Sequence, residues 1–367
     1  MLKKLICTLL TLSILFALCA CGGYDPVPST DEEARVVMTF QIGNEKYEMK
    51  YELYRTLFLT YKTLVDGGDS SVWQGEKSAE YIERIDEMII NSAADIYAVF
   101  HIAKKIGKDP FSNKKDEQIK SLIKASVDGG TTDAGTFEGF GGDYQKYLDS
   151  LTEYYMNYSV STLVIRYSLA YNDIVDYYKG NIYEEELDET ITVGEMEFDE
   201  SDVLEFYNGD DSVRLLMATL DRRSFSAERA GQIRDKIANY STETEVKNYI
   251  LSFTATTEAD GMDGIIIGKS SLDEAYYSAL TEAAFDLDLY ETSEVITVST
   301  GSETRYYILY RTDKTDEYYK EHRADIYSTF VDNEIGKIIN FAKKELTSSV
   351  TKSSILDGLS RAEISME

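Results

Sequence analysis

Imidazole and thiol chemistry have few residues to draw on: the chain of 367 residues holds two histidines and three cysteines. His101 falls inside an apolar-periodic stretch over 80–106, and His322 falls in YYKEHRADIY near the start of the last helical pattern. The two belong to separate elements. Neither stands at a repeating metal-ligand spacing from a second His, a Cys or an acid. No base with an orienting partner can be traced either, so both read as helix-face histidines. Oxygen ligands are plentiful, as in Glu184-Glu185-Glu186 and Asp260-Gly-Met-Asp263. The stretch 258–263 lacks the alternating ligand order of an EF-hand loop and reads as a solvated turn. The expectation is a chain without metal or cofactor.

The cysteines belong to a leader. Lys3 and Lys4 precede the apolar run LICTLLTLSILFAL, which is too short for a comfortable spanning helix. It ends in Leu18-Cys19-Ala20-Cys21-Gly22-Gly23, the pattern of a bacterial lipoprotein signal. Cys21 is the expected lipid attachment and mature N-terminus, with 1–21 as signal peptide. An ordinary secretory leader or an uncleaved anchor is the alternative. Cys7 and Cys19 leave with the leader, so no thiol remains for a disulfide, a metal or a nucleophile. Residues 22–33 carry Gly, Pro and acid without periodicity and read as a tether.

The formal net charge is −29, and loss of Lys3 and Lys4 makes the mature chain more acidic still. That excludes a nucleic-acid partner, whose backbone needs a basic surface. It also argues against lying on anionic lipid by surface charge, which leaves lipid on Cys21 as the attachment. At 43% hydrophobic residues, the chain beyond the leader suffices for two domains of roughly 100–200 residues each.

The elements follow from periodicity. Val36, Met38, Phe40 and Ile42 alternate, Gly43-Asn44 turns the chain, and Tyr47 and Met49 alternate again. From about Glu52 the period becomes helical. Ile82, Ile85, Met88, Ile89, Ala93 and Ile96 form one stripe of a helix ended by Gly107, and a short helix over about 112–127 follows Pro110. The Gly-rich DGGTTDAGTFEGFGGDY reads as a loop, and 144–178 as one helix almost without a breaker. A short strand and a helix capped by Asp199 or Ser201 come next. VRLLMATL, two helices, a loop, a third helix, and the strands EVITVS and RYYILYR then spell β-α-α-α-β-β within 213–312. The stripe Ile326, Phe330, Ile335, Ile338, Ile339, Ala342 and Leu346 makes 316–347 an amphipathic helix that needs a partner surface. The fold class is α+β.

That β-α-α-α-β-β segment resembles a parvulin-type peptidyl-prolyl isomerase domain, within a chain similar to the SurA/PrsA-type exported foldases. SDVLEFYNGDDSVRLLMATL, GMDGIIIG, LTEAAFDLDLYETSEVITV and RYYILYRTDK carry the resemblance in the segment itself. FQIGNEKYEMKYELYR and the run from IDEMIINSAADIYAVFHIAKKIG to DEQIK carry it nearer the N-terminus. The resemblance covers most of the mature chain, in order. It implies a helical chaperone lobe over 34–209, an inserted parvulin-like domain over 210–314, and a C-terminal helix, 315–367, packing on the N-terminal lobe.

Active parvulins carry a histidine on the first strand and another on the last, facing each other across the pocket. Met217 and Tyr307 stand at those places here, and Glu258 or Asp260 at the acidic position before the Gly-rich loop. Met217, Leu272, Tyr276, Phe285 and Tyr307 are the pocket residues the resemblance implies. Prolyl isomerisation needs a desolvated pocket that favours the twisted amide over a barrier of about 18–20 kcal/mol, not proton transfer. A Met and a Tyr supply an adaptable, partly apolar groove suited to holding unfolded segments. Among the 29 tyrosines, Tyr154, Tyr155, Tyr158, Tyr167, Tyr171, Tyr177 and Tyr178 recur along 144–178. Most read as helix packing and the remainder as a chaperone cradle.

The implied protein is a lipid-anchored foldase on the extracytoplasmic face of the cell membrane. It would bind unfolded exported polypeptides, with isomerase activity weak or lost. A solute-binding lipoprotein of an importer, with repeated β-α-β units in two similar lobes, is one alternative. A dedicated assembly scaffold is another.

Overall fold

A computed structural model describes residues 24–66, 71, 73, 75–132, 135–179, 190–193, 196–252, 263–270, 278–300, 303–359 and 364. Cys21 and the leader lie outside them, as do Glu184–Glu186, Glu258, Asp260, Leu272 and Tyr276. The described chain is α+β, and all its strand pairs are antiparallel. The repeated β-α-β units of an importer's solute-binding lobe are not found among the described residues. No described helix is long and apolar enough to cross a membrane.

The described residues form two compact units, one from those up to Ile174 together with those from Ile339 onward, the other from those within Val175–Ile338. The segments 190–209 and 315–338, read from sequence as parts of the helical lobe, thus fall in the second unit with the expected 210–314 insert.

The first unit opens with strands β1, Val36–Ile42, and β2, Glu45–Lys50, joined at Gly43, whose φ of +56° suits a residue without Cβ. Helices Tyr51–Asp66, Ser78–Lys105 and Asn113–Asp128 follow, close to the sequence reading. Two readings need correction. The Gly-rich loop contains a short hairpin, β3 (Gly130–Thr132) and β4 (Gly135–Phe137). The expected single helix over 144–178 is two, Tyr144–Thr152 and Tyr158–Lys179. At the break Tyr155 takes φ +58°, its carbonyl accepts from Thr56 Oγ1 at 2.6 Å, and Asn157 Oδ1 accepts from Val160 N at 2.9 Å. A side-chain cap from Asn, not a Gly or Pro, starts the second helix.

Burial explains the rest of this unit. Helix Ser78–Lys105 hides Ile85, Ile89, Ala93, Val99 and Phe100, where each fully buried large side chain contributes ~1.5–3 kcal/mol. Asp86, 2% exposed, is matched by Tyr54 Oη at 2.9 Å and Lys352 Nζ at 2.8 Å, the pairing a buried carboxylate requires. The strand carrying Lys352, Thr351–Lys352, is paired with β1, so that sheet runs in the order Thr351–Lys352, β1, β2.

The second unit holds a hairpin, β5 (Thr190–Val193) with β6 (Met196–Asp199), and a four-stranded sheet. Asp199 caps helix Glu200–Asn208 in a capping box with Asp202. The sheet's strands are β7 (Ser212–Asp221), β8 (Ile265–Gly268), β9 (Ile296–Thr300) and β10 (Glu303–Thr312), in the order β8-β7-β10-β9. Helices Ala227–Ile237, Glu243–Leu251 and Ser278–Asp286 complete it. The order is therefore β-α-α-β-α-β-β. The added strand, β8, lies in GMDGIIIG, which reads as a loop in sequence because three adjacent isoleucines show no alternation.

One face of the sheet packs Leu216, Ala218, Leu220, Tyr306, Ile308 and Tyr310 against the first two helices. The other packs Val213, Leu215, Tyr307 and Leu309 against Leu280, Ala284 and Leu287. Arg214, 6% exposed, ties the strands at one end: it donates to Glu243 Oε1 at 2.7 Å and to Asp313 O at 2.8 Å, and it lies 4.1 Å above the Tyr318 ring. Helices Asp316–Glu321 and Arg323–Ser348 follow, parted at His322, where the sequence reads one helix.

Candidate functional site

In the first unit, strand β2 is the end strand of its sheet, and its outer edge lies along a groove of about 870 Å³. Antiparallel pairing turns the backbone groups of successive residues alternately toward and away from β1. Tyr97 Oη donates to Glu48 O at 3.1 Å, which places the Glu48 carbonyl on the groove side. Lys46, two residues earlier, shares that parity, and both side chains are exposed. One wall comes from helix Ser78–Lys105 through Tyr97, Phe100 and Lys104, and the other from Val160, Thr162, Leu163 and Arg166. Pro110 and Phe111 close an end.

The groove is lined by a relay of rings. Tyr47 stacks on Tyr97 with centroids 5.2 Å apart, Tyr97 meets Phe100 at 6.4 Å, and Phe100 meets Phe111 edge-on at 5.2 Å. Phe111 stays 53% exposed, with the Arg166 guanidinium 5.0 Å from its centroid. The exposed Phe111 ring grips apolar side chains and tolerates water, whereas Tyr97 and Phe100 are buried in the wall at 5% and 1% exposed.

A polar cluster fixes the β2 end. Glu45 Oε2 lies 2.8 Å from His101 Nδ1 and accepts from Tyr47 Oη at 2.8 Å, while Lys104 Nζ lies 2.6 Å from Oε1. Burial raises the Glu45 carboxyl, but the hydrogen bonds from Lys104, His101 and Tyr47 outweigh it and hold the group at about 2. Burial and the Glu45 hydrogen bond push the Tyr47 hydroxyl above its ordinary range. His101 is 5% exposed and anchors Glu45. His322 is stacked on Tyr318 with centroids 4.1 Å apart. His101 lies on a helix face as the sequence suggests, whereas His322 stands between two helices and not on one; among the described residues no three His, Cys, Asp or Glu side chains gather as a metal site.

The residues implied by the resemblance to parvulins lie in the second unit. Leu309 pairs with Met217 and Tyr307 with Thr219, so Met217 and Tyr307 share one sheet face as diagonal neighbours on adjacent strands. They do not stand on opposite walls. Tyr307 is 7% exposed within the cluster of Leu215, Leu280 and Leu309, and Met217 and Phe285 pack against the same cluster, partly buried. Three of the five implied pocket residues therefore meet, and the other two, Leu272 and Tyr276, lie outside the described residues.

The tyrosines singled out along 144–178 are placed otherwise: Tyr158 is buried, Tyr167 stacks on Tyr171, Tyr177 meets Tyr178 edge-on, and none of the seven lines the groove. The groove residues come from four separate segments. Only the edge position of β2 could have pointed to them, and sheet order is not written in local periodicity.

No protein-family model matches the chain, and no curated protein matches it. Solved structures do. The chain is 18% identical to the foldase protein PrsA from Streptococcus pneumoniae str. Canada MDR_19A, over 75% of this chain and 93% of that one, with a TM-score of 0.29. It is 13% identical to the foldase protein PrsA from Lactococcus lactis, over 88% of this chain and 96% of that one, with a TM-score of 0.24. PrsA from Bacillus subtilis is 12% identical, over 76% and 85%, with a TM-score of 0.25.

Proposed function

We propose that this chain is an exported foldase that holds unfolded polypeptides, anchored to the extracytoplasmic face of the membrane by lipid on Cys21. One observation carries the reading: the edge strand β2 running along a groove lined by Tyr47, Tyr97, Phe100 and Phe111, with the Glu48 carbonyl held by Tyr97 Oη. A strand edge offers main-chain donors and acceptors to any extended segment, and adjacent aromatic surface accepts its side chains. That combination suits clients that share no sequence.

Prolyl isomerisation is weak or absent in this reading. Tyr307 is built into the sheet core and Met217 is an apolar neighbour, so the face carries no imidazole to position or polarise an amide. The resemblance of the sequence to the SurA/PrsA-type foldases supports the holding function, and the departure from it at Met217 and Tyr307 supports weak isomerisation.

Aggregation of several unrelated denatured proteins, followed by light scattering, tests the function. Suppression of all of them at near-stoichiometric ratios is expected. Suppression of one alone indicates a dedicated scaffold, and suppression of none contradicts the proposal. Anchoring is tested by fractionation, with Cys21→Ser expected in the soluble fraction.

A further inference from the structure

We propose that a second groove, in the Val175–Ile338 unit, selects positively charged segments of client polypeptides; this rests on the polypeptide-holding function above and adds a client chemistry to it. The groove has a volume of about 500 Å³ and lies between helix Glu200–Asn208, the Gly209-Asp210-Asp211 turn and helix Arg323–Ser348. Its floor is aromatic. Phe330 meets Phe198 edge-on at 4.9 Å and Phe206 at 5.6 Å, and all three are at most 7% exposed. Ile338, half-buried, continues the apolar surface.

The rim is acidic. Among the described residues Asp202, Glu205, Asp210, Asp211 and Glu334 line the groove with a single cation, Lys337. Lys337 Nζ is held at 2.8 Å by both Asp211 and Glu334. That leaves Asp202, Glu205 and Asp210, all exposed, on the open side. Asp202 Oδ2 accepts the capping hydrogen bond from Asp199 N at 2.9 Å.

An apolar floor under uncompensated carboxylates fits one occupant better than others: a segment carrying Lys or Arg beside an aliphatic side chain. Its stem lies on the rings and its charge meets the rim. A cation alone leaves the floor unused, and the carboxylates do not gather as a metal site among the described residues. An acidic or purely apolar segment meets repulsion or gains nothing from the rim.

The test uses fluorescence anisotropy with the purified protein and two labelled decapeptides, one alternating Lys with Leu and one alternating Glu with Leu. The Lys peptide is expected to bind and the Glu peptide not. The triple variant D202N/E205Q/D210N keeps the capping acceptor at 202 and is expected to bind the Lys peptide about tenfold more weakly. The same neutralisation at the exposed Glu80, Glu83 and Glu87 of the other unit (E80Q/E83Q/E87Q) is expected to change it less than twofold. Equal losses in the two variants mean bulk charge alone attracts the peptide, and no loss in either means another site; both overturn the proposal. The single Asp210→Lys variant, in an exposed turn, repeats the reading without altering the helix. Aggregation suppression of neutral clients separates the two claims: if it persists while the groove variants bind normally, only this inference fails.

Discussion

Met217 and Tyr307 stand side by side on one face of adjacent antiparallel strands, with Leu309 directly across from Met217 and Thr219 across from Tyr307. Tyr307 is core and Met217 is margin. This predicts different costs for the same truncation. Tyr307→Ala removes a buried ring and should destabilise the unit by ~3–5 kcal/mol, while Met217→Ala should cost ~1–2 kcal/mol because its site is partly open. Urea unfolding measures both. In a protease-coupled proline-turnover assay Met217→Ala should match the parent, and robust turnover abolished by that change contradicts the account.

Two helical glycines make opposite predictions. A Cβ on Gly336 collides with the Ser270 carbonyl oxygen, whereas one on Gly231 meets nothing within 4 Å. Gly231→Ala should stabilise by ~0.5–1 kcal/mol through helix propensity. Gly336→Ala should destabilise by ~3 kcal/mol or more, since backbone must move. Thermal unfolding of the two variants checks the close approach of 269–270 to helix Arg323–Ser348.

Alkali should weaken the fold. Burial raises the hydroxyls of Tyr61, Tyr97 and Tyr318 above the ordinary value of 10, and burial with the Glu45 or Glu200 carboxylate raises Tyr47 and Tyr319. These groups stay protonated when folded and release protons on unfolding above pH 10. Their stabilisation is present below pH 10 and lost as pH rises beyond it. Absorbance at 295 nm should show them ionising only with unfolding. Glu45 works in the opposite sense: with its folded value at about 2, stability is present above its ordinary 4.5 and lost as pH falls toward 2. Glu45→Gln should flatten that acid limb in chemical denaturation across pH.

Phe111 should matter for holding and little for folding. It is 53% exposed and touches Phe100 and Arg166. Phe111→Ser should leave the unfolding free energy measured in urea within ~0.5 kcal/mol of the parent, and should reduce aggregation suppression several-fold in light scattering.

Periodicity made part of this legible. The β1–β2 hairpin follows from alternation and helix Ser78–Lys105 from its stripe, while β7 and β10 read as strands from apolar runs and their pairing came only with the fold. Strand β8 did not, because a run of three isoleucines has no period to read. The break at Tyr155 did not, because it rests on a tertiary hydrogen bond from Thr56, 99 residues away. The first groove is hidden for the same reason: Tyr47, Tyr97 and Phe111 are adjacent only after folding, and the cluster around Glu45 joins His101 from 56 positions on. Met217, Phe285 and Tyr307 were reached through resemblance, and the strand register supplies their relation.

The central claim, that the groove beside β2 holds extended polypeptide, has a direct measurement. The cysteines are Cys7, Cys19 and Cys21, so in protein produced without residues 1–21 a new cysteine at Thr162 in the groove wall is the single thiol and carries a benzophenone photoprobe selectively. A denatured client should crosslink strongly from Thr162→Cys and weakly from Glu80→Cys on an exposed face. Crosslinking of equal yield from both positions, or from Glu80→Cys alone, contradicts the account.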